Sequence, residues 1–121
     1  MHPHNPSAVL AIDDDAAVRE VFGEMLTRQG YVTHRAGSGD EGVRVYGRHR
    51  DEITAVVLDV RMPGKDGPAT LVELRTMNPD LPCVFVTGFG GCYTSEELAD
   101  LGAVVLTKPV GMAGHAPRCG G

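Results

Sequence analysis

The sequence predicts an α/β fold, a doubly wound five-stranded parallel sheet with helices on both faces, and three observations carry that expectation. Short apolar, β-branched runs alternate with stretches of helical period from Ser7 to Val110. Two of the runs, SAVLAID at 7–13 and ITAVVLD at 53–59, are continuously apolar, as a strand covered on both faces has to be. The polar residues with chemical potential fall where these runs stop, which is where open α/β sheets bind their ligands.

The first strand, Ser7–Asp13, closes on the three aspartates Asp13, Asp14 and Asp15. From Ala16 to Gln29, Val18, Val21, Phe22, Met25 and Leu26 recur at helical spacing, and Gly30 stops the helix. Asp15 immediately precedes this stripe and is read as its cap rather than as a metal ligand. Tyr31–Ala36 is the second strand. Ser38, with Glu41 three residues on, forms a capping box that opens a second helix to about Arg50, whose apolar face is thin. Ile53–Asp59 is the third strand and runs into the turn-rich MPGKDG, where Asp66 and Gly67 are read as turn formers. Pro68 suits the first position of a third helix, which carries Leu71, Val72 and Leu74 toward Asn78-Pro79. Pro82–Thr87 is the fourth strand. Thr94 and Glu97 box the start of a short helix, and Ala103–Leu106 is the fifth strand, leading to Lys108-Pro109.

Composition narrows the function. At 121 residues the chain is one domain, and 42% hydrophobic content supplies a core that excludes intrinsic disorder. Sixteen acids against eleven bases, with no basic stretch, argue against direct nucleic-acid binding or an anionic membrane surface. Cys83, Cys92 and Cys119 form no CxxC pair and are read as reduced thiols, which suits a cytoplasmic protein. No run is long enough to span a membrane, and MHPHNPS has no secretory signal character. The five histidines are scattered; only His2 and His4 are close in sequence, and all are read as solvated.

With strand order 2-1-3-4-5 the first and third strands are neighbours, which brings Asp13 or Asp14 beside Asp59. Carboxylates so placed repel unless a cation joins them, and oxygen donors with an open face suit octahedral magnesium. Thr87 ends the fourth strand and Lys108 follows the fifth. The motifs IDDD (12–15), LDVRMPGKDG (58–67), VTG (86–88) and LTKP (106–109), in this order, resemble the receiver domain of two-component response regulators, a flavodoxin-like, CheY-like fold.

That resemblance covers residues 7–110 and implies an aspartyl-phosphate switch. Asp59 would accept a phosphoryl group from a sensor histidine kinase or a histidine phosphotransfer protein. Mg2+ would be held by Asp14, Asp59 and the backbone carbonyl of Arg61, with Asp13 holding its water shell. Thr87 would hydrogen-bond a phosphoryl oxygen, with Gly88 leaving room beside it, and Lys108 would supply positive charge. The family also implies a cis Lys108-Pro109 bond and relay to a downstream protein target or output domain. It implies a signalling switch rather than an enzyme, with only intrinsic autophosphorylation and autodephosphorylation.

Some features depart from the family pattern. Val105 stands where many receivers carry a switch aromatic, and the stretch from Thr87 to Lys108 is about one residue short. Arg61 and Phe89 occupy positions that flank the phosphoryl group in the family. Residues 1–6 are expected to be disordered, and residues 111–121 (GMAGHAPRCGG) form an irregular, glycine-rich tail in place of a fifth helix. Part of the groove beside the first helix should then be uncovered, open to a second copy as a homodimer or to another segment. The tail is too short for a DNA-binding output domain, so output is expected through contact. The alternative is a degenerate receiver serving as a constitutive interaction or dimerisation module. A haloacid dehalogenase-type phosphatase fits poorly, because that family needs an aspartate two residues after the nucleophile, where Arg61 stands.

Overall fold

A computed structural model of the chain describes residues 7–87 and 94–107. In chain order the elements are β1 (Ala8–Ile12), α1 (Ala16–Arg28), β2 (Val32–Ala36), α2 (Gly39–His49), β3 (Ile53–Asp59), α3 (Gly67–Met77), β4 (Cys83–Thr87), α4 (Ser95–Ala99) and β5 (Val104–Thr107). All strands are parallel, in one sheet of order β2-β1-β3-β4-β5, as the sequence predicts. The expected fifth helix, the tail and the N-terminal residues 1–6 lie outside the described residues.

Local chemistry explains the boundaries. Asp15 caps α1, its carboxylate accepting from the amides of Ala17 and Val18. Asp66 does the same for α3 through Ala69, and Pro68 sits in the first turn where a missing N–H costs nothing. Thr94 and Glu97 make the complete capping box expected of α4. The box expected at α2 is only half formed. Ser38 accepts from the Glu41 amide, but the Glu41 carboxylate turns to the N–H of Gly37, one residue further out.

The two-residue period of the strands sorts side chains between two layers. Ala8, Leu10 and Ile12 of β1 join Val56, Leu58, Cys83 and Phe85 in one cluster with Tyr46 of α2, Leu71 and Leu74 of α3 and Leu98 of α4. The thin apolar face of α2 works because Gly42 lets the helix approach Ile12 and Gly39 lets it approach Thr70. The opposite face holds Val9, Ala11 and Val18, with α1 its one helix among the described residues. Here the stripe expected of α1 is only partly buried: Val18 is inside, whereas Val21 and Met25 are exposed. Val104 and Leu106 of β5 are also 60% and 51% exposed, so among the described residues the apolar surface of this face exceeds what covers it.

Candidate functional site

The site lies at the carboxyl ends of β1 and β3, adjacent because strand order places these strands side by side. Ile12 pairs with Leu58, so the residues that follow, Asp13 and Asp59, leave the sheet at the same level. A carboxylate oxygen from each of Asp13, Asp14 and Asp59 lies within 4.8 Å of the others. Asp13 and Asp59 are each 4% exposed, whereas Asp14 faces solvent. Three carboxylates this close, two of them buried, form an acidic cup whose like charges repel unless a cation joins them.

Asp13 is held on several sides. Its N–H donates to the Ala36 carbonyl at 3.1 Å, its Oδ1 accepts from the Asp15 N–H at 2.9 Å, and its carbonyl accepts from Arg19 Nη1 at 2.7 Å. The Arg19 clamp has no signal in the sequence, because the arginine sits on the polar side of the α1 pattern.

On the other wall, the loop after Asp59 folds back over the strand end. The Val60 N–H reaches the Val86 carbonyl at 3.2 Å, and the Gly67 N–H returns to the Val60 carbonyl at 2.9 Å. A Cβ on Gly67 would stand 2.5 Å from the Asp59 carbonyl oxygen, so only glycine permits this closure. Gly64 turns the loop at a left-handed φ of 75°. Lys65 then pins it, pairing with Asp40 of α2 at 2.8 Å and with Glu73 of α3. The hydrogen bond from Lys65 holds the Asp40 carboxyl below its ordinary range, and Asp40 and Glu73 raise Lys65 in return.

Across the sheet, Asp59 pairs with Val86, which puts half-buried Thr87 one residue further toward the same rim. Half-buried Arg61 sits two residues past Asp59. Val105 packs against the core cluster. Lys108, the Lys108-Pro109 bond, Gly88 and Phe89 lie outside the described residues. Sequence reasoning missed a second cluster. His34, His49 and Glu52 come together at the opposite end of the sheet; His49 and Glu52 stand at an i,i+3 spacing, but nothing in the sequence joins them to His34.

Residues 9–114 match the family described as the response regulator receiver domain, and the chain belongs to that family. Transcriptional regulatory protein GlrR of Escherichia coli is 33% identical over 108 residues, covering 88% of this chain and 24% of GlrR. Sensor kinase CckA of Brucella abortus is 38% identical over 104 residues, covering 85% of this chain and 11% of CckA. The chain therefore spans a quarter or less of these curated relatives. Among solved structures, the CheX–CheY–BeF3–Mg2+ complex of Borrelia burgdorferi superposes with a TM-score of 0.78 at 25% identity, covering 89% of this chain and 82% of the other.

The class is thus a signalling switch of two-component systems, whose phosphoacceptor role is general to the family. Among the described residues no helix is long and apolar enough to cross a membrane.

Proposed function

We propose that this chain is a phosphoacceptor switch in which Asp59 takes a phosphoryl group from a phosphohistidine on a sensor histidine kinase or phosphotransfer protein. The observation that carries it is the cup of Asp13, Asp14 and Asp59, two of them buried and all converging at one strand-end rim. A carboxylate oxygen of Asp59 attacks phosphorus, the P–N bond breaks, and the imidazole nitrogen keeps the bonding pair. The ring leaves neutral when its other nitrogen carries a proton. Thr87 donates its hydroxyl to a phosphoryl oxygen, and Lys108 brings an ammonium to the developing charge.

The donor set fits a hard divalent ion, since all three side chains offer only oxygen. Asp14, Asp59 and the Arg61 carbonyl would hold magnesium, with Asp13 holding its water shell. When bound, magnesium offsets the carboxylate charge and that of the transferring group. The likeness to a CheY solved with BeF3 and Mg2+ supports this reading. The added charge, about −1.5 to −2, would draw Thr87 and its loop inward and alter a surface read by a downstream protein or output domain in the cytoplasm.

Incubation with acetyl phosphate and magnesium, followed by intact mass, tests the proposal. One phosphoryl group should be gained, and Asp59→Asn should abolish the gain. No gain at any magnesium concentration would overturn it in favour of a constitutive interaction module.

A further inference from the structure

We propose that His34, His49 and Glu52 form a second metal site, selective for a borderline divalent ion of the zinc class. It shares nothing with the acidic cup. His34 lies on β2, His49 in the last turn of α2, and Glu52 just before β3, and the Glu52 carbonyl accepts from the N–H of Ala8 at the amino end of β1. The cup stands at the carboxyl ends of the same strands.

The geometry is that of a ligand set. One donor atom from each residue lies within 4.8 Å of the other two. The imidazoles stack with centroids 4.1 Å apart and planes 22° from parallel, each with a nitrogen near Glu52, so one ring has to swing about its Cβ–Cγ bond for both nitrogens to face the same ion. His34 Nε2 stands 3.4 Å from Glu52 Oε2, and His49 Nδ1 stands 3.6 Å from Glu52 Oε1. Direct N–H···O bonds settle near about 2.9 Å. A tetrahedral ion with bonds of about 2.0–2.1 Å spaces its ligands about 3.3 Å apart, near these two separations, each of which is to its own carboxylate oxygen.

The scaffold also suits a metal. The strand ladder fixes His34 through Leu10, and the Glu52 N–H donates to the His49 carbonyl at 2.9 Å, locking two ligands to one turn. His49 sits at the negative end of the α2 dipole, which favours a cation. The histidine side chains are 19% and 37% exposed and the glutamate 56%, so the three donors line a mouth open to water as a fourth ligand. Two imidazole nitrogens and one carboxylate select zinc-class ions over magnesium, which takes oxygen.

The test is a titration of the full chain with zinc chloride in excess magnesium, read from the imidazole 15N resonances, which separate His34 and His49 from His2, His4 and His115. The expected result is that the His34 and His49 resonances move together and saturate at a common zinc concentration. Glu52→Gln and His49→Gln should each weaken that response by about tenfold or more, the least that even an outer-shell partner is worth. His49→Gln should also bind one zinc fewer in equilibrium dialysis, with its fold checked by the amide spectrum. A response confined to His2 and His4, a shift in only one of the two rings, equal shifts with magnesium alone, or unchanged affinity in both variants would overturn the site.

Discussion

Replacing Gly67 with alanine pushes a methyl group against the backbone that carries the phosphoacceptor. The new Cβ would lie 2.5 Å from the Asp59 carbonyl oxygen and 2.9 Å from the Val60 Cα, whereas real Cβ atoms essentially never come under 3.0 Å. Both obstacles are main chain, so the relief of at least half an ångström has to come from moving the loop or the end of β3. Overpacking of this kind costs about 1–3 kcal/mol. At roughly 2 cal/mol/K per residue of unfolding entropy, that lowers the melting temperature by about 4–12 °C. A misplacement of about 1 Å can cost about a hundredfold in rate, so half of that predicts a loss on the order of tenfold in acetyl-phosphate labelling of Asp59. Gly47→Ala is the matched control. It lies exposed on α2 with nothing within 4 Å of its Cβ position, and alanine there should stabilise by about 0.5–1 kcal/mol. Labelling should be unchanged. Thermal melts and intact-mass time courses measure both. A Gly67→Ala protein with the parent's melting temperature and labelling rate would refute the closure of the loop on Asp59.

Asp15→Ala should cost about 1 kcal/mol, the worth of a helix cap, and leave magnesium affinity intact. Calorimetry showing a loss of magnesium as large as that of Asp13→Asn would make Asp15 a ligand instead. Burial pushes the Cys83 thiol up to about 12, and Arg75 opposes this only in part. In the folded protein Cys83 should therefore resist iodoacetamide at pH 8, as read by peptide mass, and labelling at the unfolded rate would contradict its burial. Because the folded proton affinity is raised, this thiol's contribution to stability is full below about pH 9 and is lost as pH climbs toward 12. Urea melts of Cys83→Ala against the parent should diverge less with each step into that range.

Much of the fold was legible because its causes are local. A strand buried on both faces has to be apolar throughout, as β1 is, and β3 comes close, with exposed Thr54 near its start and Asp59 at its end. Caps act within three residues, so Asp15, Ser38 and Thr94 mark where helices begin, whereas Asp66, read as a turn former, proves to be the cap of α3. Where a pattern depends on what lies opposite, sequence reading did less well. The period of α1 shows which side is apolar but not whether a layer covers it, and Val21 and Met25 are exposed. Gly39 and Gly42 carry no hydrophobic signal, yet they set how closely α2 approaches Thr70 and Ile12.

The sequence by itself determined the order of elements, the strand-end placement of the acidic residues and, through four motifs in register, the family. Only the tertiary structure decided which groups meet. Asp13 and Asp59 could be paired in advance because a known strand order made their strands neighbours. Arg19 on the Asp13 carbonyl, Lys65 between Asp40 and Glu73, and His34 beside His49 and Glu52 could not. Hydrophobic period and capping are set by neighbours along the chain. The distance between polar side chains far apart in sequence is set instead by strand register and helix docking, which arise only when the whole core has packed.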